Sequence, residues 1–355
     1  MGINLELESL FGNDSNPYYL WAPSWTESSA GVRGMHYLCH ALNCLGAHAF
    51  ILPAESLRHG RARVNPYLNT PILTKKISDV HISSGRVPIA VYPEDVIGNP
   101  VHAPIVVRFL WNYAGALGGP SVFDEDEIVY AFSRNIAKHY ETTGRKSPGV
   151  LFVPPIDPSE FVPSESKKPF QVVYAGKYRA FVGEPPAVGS LPTVEIFRDG
   201  PQKQPRQLVK RLLSDATVVF SFENSSIVTE AILSGTPAGF IPNSFMTEVI
   251  AEHELSSGGS FIGDNPRDIE AARLSIPKGI AAYKRLVEEF PKELKQFFLD
   301  TQVMSRQVPF DGEIDVPEFA SPITKNRVLL GLNMIKTKGV RVFLREVVRF
   351  FRSRV

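Results

Sequence analysis

The chain of 355 residues has little cysteine, no long apolar run and almost no net charge. Cys39 and Cys44 are its only cysteines, too few for a disulfide framework and without the neighbours of a zinc site. The apolar runs are too short, or too interrupted by charge, to span a bilayer as a helix, and residues 1–14 do not read as a secretory signal. A formal net charge of +1 argues against a general nucleic-acid binder. We therefore expect a soluble, globular, cytoplasmic protein.

What is present is an alternation of predicted strands and helices, in a chain long enough for two domains of about 150 residues each. The predicted strands are 18–23, 47–52, 89–94, 104–110, 149–155, 171–176, 216–222 and 236–241, and the predicted helices are 35–46, 127–141, 205–215, 226–235, 266–275 and most of the chain from 278. Residues 157–169 are rich in Pro, Ser and charge, which is typical of a linker. The alternation predicts an α/β protein of two Rossmann-like domains facing a cleft.

Polar side chains crowd the start of the segment SFENSSIVTEAILSGTPAGF, residues 221–240, directly after an apolar strand. Ligands of open parallel sheets bind where strands end and helices begin, which is the position of 223–226. Ser225 and Ser226 can cap the helix, whose free N–H groups and dipole favour a phosphate. Glu230, one turn further, is a suitable acceptor for a ribose hydroxyl pair. The alternative is that Ser225 only caps the helix and Glu230 only complements its dipole.

The segment TEAILSGTPAGFIP resembles the nucleotide-sugar signature of bacterial glycosyltransferases with the two-domain GT-B fold. Glu230, Ala231, Gly235 and Pro237 match that signature. The resemblance implies that Glu230 binds the donor ribose and that Glu223, Asn224, Ser225 and Ser226 surround the nucleotide. It also implies C-terminal helices that cross back to the first domain.

Two departures leave the subfamily open. The large retaining family has a second Glu eight positions before the first, where this chain has Phe222 followed by Glu223. FENS with the later VTE resembles the fucosyltransferase motif, but Ala231 replaces the Lys expected after Thr-Glu. Retaining and inverting stereochemistry both stay open.

Weaker resemblances suggest further contacts with the donor. VVYAGKYR, residues 172–179, is similar to the strand and loop that bring a basic side chain to the donor diphosphate, with Lys177 first and Arg179 second. ESSAGVRG, residues 27–34, lies where the family has a glycine-rich loop, so Gly31 would let the backbone approach the donor and Gly34 would open the helix. VYPEDVIGNP, residues 91–100, resembles a segment of capsule and O-antigen transferases.

The resemblance implies transfer of a sugar to a glycan or lipid-linked acceptor, with no cofactor beyond the nucleotide-sugar substrate and no metal. The acidic run 124–127 is accordingly interpreted as a helix N-terminus. An inverting enzyme needs a base from the first domain. Glu27 and Glu94, in loops after predicted strands, are the candidates, followed by His36 and His102.

Three other functions compete with this interpretation. A nucleotide-sugar epimerase of the same fold would use the same donor contacts, and a non-catalytic scaffold would use none. A NAD-dependent oxidoreductase is disfavoured because the first strand–helix turn lacks the glycine fingerprint.

The segment 336–355 is strongly basic and carries an apolar face beside its arginines. It has seven Lys and Arg residues against Glu346 alone, a local charge of about +6. This pattern favours an interfacial helix on an anionic membrane surface. The alternative is a helix that packs on the N-terminal domain. We expect domains at 1–160 and 161–308, followed by a helical segment at 309–355.

Overall fold

The computed structural model describes residues 15–53, 64–146, 148–164, 166–251, 254, 258–310 and 312–316. These residues form two compact units. The first contains the described residues up to Pro155 and those from Glu289 onward, and the second contains those of Ile156–Glu288. The predicted basic segment 336–355 lies outside the described residues.

The first unit is built on a six-stranded parallel sheet of order β2-β1-β3-β4-β5-β6. Its strands are β1 (Tyr18–Ala22), β2 (Ala49–Pro53), β3 (Ile89–Pro93), β4 (Ile105–Leu110), β5 (Ile128–Ala131) and β6 (Gly149–Val150), and its helices are α1 (Ala30–Cys44), α2 (Lys75–Ser83) and α3 (Arg134–Glu141). Every residue of β1 is buried, as expected for a parallel strand covered on both faces.

The second unit has a five-stranded parallel sheet of order β11-β10-β9-β7-β8. Its strands are β7 (Gln171–Tyr174), β8 (Thr193–Ile196), β9 (Val218–Ser221), β10 (Ala238–Phe240) and β11 (Ser260–Ile262), and its helices are α4 (Gly176–Phe181), α5 (Arg206–Asp215) and α6 (Ser226–Leu233). The long helix α7 (Pro266–Ser305) follows β11. The predicted α/β class with two parallel sheets is confirmed.

The last turns of α7 belong to the first unit and are tied to the start of β1. The hydroxyls of Tyr18 and Thr301 are 2.6 Å apart, and the side chain of Gln302 bonds the backbone of Asn16 at both its N–H and its C=O. The described residues from Glu289 onward therefore belong to the first unit, whereas the sequence analysis placed 161–308 in the second domain.

Three local predictions are wrong. Residues 127–141 are not one helix but β5 followed by α3, and Ser133 caps α3 by accepting from the N–H of Ile136. The acidic run 124–127 is therefore a turn before a strand and not a helix N-terminus. Gly31 and Gly34 lie within α1, not in a glycine-rich loop, because Ser29 caps that helix ahead of them.

Candidate functional site

The loops after β7, β8 and β9 carry a polar cluster in the second unit. These three strands are neighbours in the sheet, and all run in the same direction. Their carboxyl ends therefore meet at one edge, where ligands of such sheets bind. The cluster consists of Tyr174, Lys177, Arg198, Glu223, Ser225, Ser226 and Glu230.

Arg198, Ser226 and Glu230 form a hydrogen-bonded triangle. The Arg198 guanidinium donates to Glu230 Oε2 at 2.5 Å and to Ser226 Oγ at 3.1 Å, and Ser226 Oγ donates to Glu230 Oε1 at 3.2 Å. The side chains of Arg198 and Glu230 are only 9% and 1% exposed. Burial disfavours the cationic form of Arg198, but the Glu230 carboxylate more than offsets this, so the pKa of Arg198 lies above its ordinary value. Arg198 therefore stays cationic inside the unit.

Tyr174 connects this triangle to a second buried carboxylate, Glu223. The Arg198 guanidinium lies 5.9 Å from the centroid of the Tyr174 ring, and the tyrosine side chain interacts with Glu223 and Ser225. Burial raises the pKa of Glu223, although the nearby Lys177 ammonium opposes that shift. A buried polar network thus links the ends of β7, β8 and β9.

Glu223 also determines the backbone after β7. Its carboxylate accepts the backbone N–H groups of Lys177 and Tyr178, which belong to the first turn of α4. A Cβ on Gly176 would lie 2.6 Å from the Tyr174 hydroxyl and 3.0 Å from Glu223 Oε1, so a larger residue there would displace the Tyr174 side chain. The segment predicted as a loop after β7 is therefore a short helix whose N-terminus Glu223 occupies.

The two predicted cations on this segment differ in their surroundings. Lys177 is exposed at the start of α4. The Arg179 guanidinium bonds both oxygens of Glu195, at 2.6 and 2.7 Å, and is also paired with Glu184. Lys177 is therefore the more available of the two for an anionic ligand.

The remaining residues predicted around the nucleotide lie at the start of α6. Ser225 is the N-cap and accepts from the N–H of Ile227 at 3.3 Å. The Asn224 side chain donates to Glu248 O and accepts from the N–H of Ile250, which fixes the loop after β10. The structure brings Glu223, Ser225, Ser226 and Glu230 together, while the amide of Asn224 is turned to this neighbouring loop.

The candidate bases belong to the first unit. Glu27 is exposed in the loop after β1. Glu94 follows β3, is 3% exposed and accepts the backbone N–H of Trp111 at 2.9 Å. His36 is fully buried, with Nε2 2.9 Å from Pro23 O, and burial lowers its pKa. His102 is exposed and paired with Asp315.

The sequence did not point to Arg198 or Tyr174. Tyr174 ends a strand that was predicted, so its place at the sheet edge could have been noticed. Arg198 follows β8, a short edge strand between Pro192 and Gly200 that was not predicted. An Arg-Asp-Gly run directly after the alternating residues TVEIF is the signal that could have found it.

No group of three or more His, Cys, Asp or Glu side chains among the described residues is arranged to hold a metal ion. Within the same part of the chain, no helix has the length and apolar content needed to cross a membrane.

No protein-family model matches the chain, and no curated protein matches it. Solved structures do match it. The glycosyltransferase SnogD from Streptomyces nogalater is 14% identical, over 80% of this chain and 99% of SnogD, with a TM-score of 0.39. A protein of Arabidopsis thaliana complexed with quercetin is 11% identical over 81% and 99% of the two chains, with a TM-score of 0.41. Os79 from O. sativa, in complex with UDP and deoxynivalenol-3-glucoside, is 11% identical over 80% and 100%, with a TM-score of 0.42.

Proposed function

We propose that this protein is a metal-independent glycosyltransferase that moves a hexosyl or deoxyhexosyl group from a nucleotide-sugar donor to a glycan or lipid-linked acceptor. We place it in bacterial surface polysaccharide synthesis, of the capsule or O-antigen type, on the cytoplasmic side of the membrane. The observation that carries the proposal is the cluster at the carboxyl edge of the second sheet. There the signature residue Glu230 and the capped N-terminus of α6 lie at the end of β9, and Lys177 follows β7.

The chemistry of glycosyl transfer accounts for these groups. The nucleotide diphosphate gains charge as it leaves, so it needs cations or helix N-termini that are already in place. The first turn of α6 contains no acidic residue, and Lys177 is an exposed cation at the start of α4. Either feature alone is common on protein surfaces, and their meeting at one sheet edge is what supports a phosphate-binding role.

The acceptor hydroxyl must also lose a proton if the enzyme is inverting. We propose Glu94 or Glu27 for this task. Glu94 is the better oriented of the two, because its bond to the Trp111 N–H fixes the carboxylate at the end of β3. Glu27 is the better exposed.

The test begins with a thermal-shift screen of the full chain against UDP, GDP, dTDP and CMP. A nucleotide at about 100 times its Kd should stabilise the folded state by about 2.7 kcal/mol through mass action. The nucleotide sugar that corresponds to the best ligand is then incubated, in EDTA, with glycan and lipid-linked acceptors.

The products separate the competing functions. A glycosylated acceptor supports the proposal, a free epimerised sugar indicates an epimerase, and the absence of binding to all four nucleotides refutes a donor site. Lys177→Ala should slow transfer, because its charge is needed most as the diphosphate leaves. Lys284→Ala, which removes an exposed lysine of α7 in the same unit, is the matched control and should leave transfer unchanged.

A further inference from the structure

We infer that Arg198, and not Glu230, is the member of the triangle that contacts the donor, and that it binds the diphosphate. Glu230 then acts as a positioning residue that holds the guanidinium at the carboxyl edge of the sheet. This inference rests on the proposed function, since it concerns the same donor. It reverses the role that the signature motif predicts for Glu230.

Exposure separates the two side chains. Glu230 is 1% exposed, and each of its carboxylate oxygens already accepts a hydrogen bond, from Ser226 or from Arg198. The Arg198 side chain is 9% exposed, so a larger part of it than of Glu230 is open to solvent. A ligand that approaches from solvent therefore has access to part of Arg198 and to almost none of Glu230.

The chemistry of the guanidinium fits a diphosphate. Arginine has five N–H donors in a planar fork that matches the oxygens of a phosphate. Glu230 and Ser226 take one donor each from Nη2 and Nη1, and the Tyr174 ring lies 5.9 Å from the guanidinium carbon. Three groups from two elements, α6 and β7, thus fix the orientation of the fork before any ligand binds.

The location agrees with this assignment. Arg198 follows β8, and Lys177 follows the adjacent strand β7. Ser226, which Arg198 bonds, is the first residue of α6, whose free N–H groups favour an anion. Two cations and a helix N-terminus therefore converge at one sheet edge.

The experiment measures the Kd values of a nucleoside, its monophosphate and its diphosphate by calorimetry, for example uridine, UMP and UDP if UDP leads the screen. The proteins are the wild type, Arg198→Gln, Arg198→Lys and Glu230→Gln. Arg211→Gln is the control, since it removes a cation whose side chain is 74% exposed on α5 in the same unit. Melting curves of each variant without ligand establish that it is folded.

We expect Arg198→Gln to weaken UDP binding by about 10- to 100-fold, the loss that corresponds to one hydrogen bond with a charged group, and uridine binding by less than about threefold. The UDP affinity of Arg198→Lys should fall between those of the wild type and Arg198→Gln, because lysine keeps the charge but lacks the planar fork of donors. Glu230→Gln should follow the same pattern as Arg198→Gln, and Arg211→Gln should match the wild type.

Two other outcomes are distinguishable. If Glu230→Gln weakens uridine and UDP equally, and the wild type prefers UDP to its 2′-deoxy analogue, then Glu230 contacts the ribose and the inference is overturned while the proposed function stands. If the wild type binds none of the nucleotides, the proposed function fails and the inference fails with it.

Discussion

Gly34 lies in α1 directly against the indole of Trp111, the residue that follows β4. A Cβ built on Gly34 would lie 2.1 Å from Cη2 and 2.4 Å from Cζ3 of that ring. We expect Gly34→Ala to destabilise the protein by about 1–3 kcal/mol, the usual cost of overpacking. Urea denaturation of the two proteins measures this difference.

Gly31 provides the matched control for that substitution. It lies on the same helix, and its Cβ would be 4.0 Å from Trp111 Cγ, an ordinary contact. Gly31→Ala should therefore be neutral or stabilising by up to about 1 kcal/mol, because alanine favours the helix. Equal effects of the two alanines would mean that the indole moves aside at little cost.

Single residues of the candidate site also show which of its members can be found from sequence alone. Ser225, Ser226 and Glu230 belong to one turn and a half of helix, so local spacing and a familiar signature suffice to find them. Arg198 is 32 residues from Glu230, and the two meet only because β8 and β9 are both neighbours of β7. No local sequence pattern indicates the contact between Arg198 and Glu230, so the ionic partner of the signature carboxylate could not be predicted.

At the scale of elements, residues 127–141 show how a continuous pattern can conceal a boundary. Ile128–Ala131 pairs with β4 as a strand, and α3 begins at Arg134. Four strand residues are too few to distinguish their period from that of a helix. Ser133, which caps α3, is the local sign of the boundary.

Glu127, at the start of this region, forms a buried ion pair with Arg108 of β4. Their side chains are 7% and 1% exposed, and the guanidinium donates to Glu127 Oε1 at 2.6 Å and to Oε2 at 2.9 Å. Arg108 also donates to the carbonyls of Val96 and Gly98, in the loop that carries Glu94. The pair therefore fixes the loop of a candidate base.

We expect Glu127→Gln to lower the free energy of unfolding by about 3–5 kcal/mol, because it leaves the buried guanidinium without a counter-charge. Glu125→Gln is the control two residues away, since Glu125 is 89% exposed and pairs with Arg145. That change should cost less than about 1 kcal/mol. Chemical denaturation measures the free energy of unfolding of both variants. A loss below about 1 kcal/mol for each would contradict a structural role for the buried pair.

At the scale of the whole molecule, the alternation of strands and helices predicted two α/β units with parallel sheets. It did not predict the edge strands β8 and β11, because short strands at a sheet edge carry few apolar residues. It also split α7, where Pro277 and Pro291 interrupt the sequence but not the helix, which runs for 40 residues. Packing of the helix overrides these local signals.

The sequence also supports a proposal for the membrane. The segment 336–355 concentrates positive charge, with Lys336, Lys338 and five arginines that end at Arg354, in a chain whose total charge is only +1. A basic stripe beside an apolar face binds anionic lipid surfaces, with about 1 kcal/mol for each Lys or Arg near the surface. We therefore propose that residues 336–355 bring the enzyme to a lipid-linked acceptor.

Deletion of residues 338–355 should abolish sedimentation with vesicles that contain anionic phosphatidylserine, and should leave the Kd for the nucleotide unchanged. Vesicles of phosphatidylcholine alone are the control for the lipid, because they remove the surface charge but keep the apolar interior. Raising the salt from 50 to 500 mM should weaken binding of the full chain, since screening shortens the reach of its positive charges. If the truncated chain still sediments, or the full chain binds neither kind of vesicle, the segment has another role, such as packing on the rest of the protein.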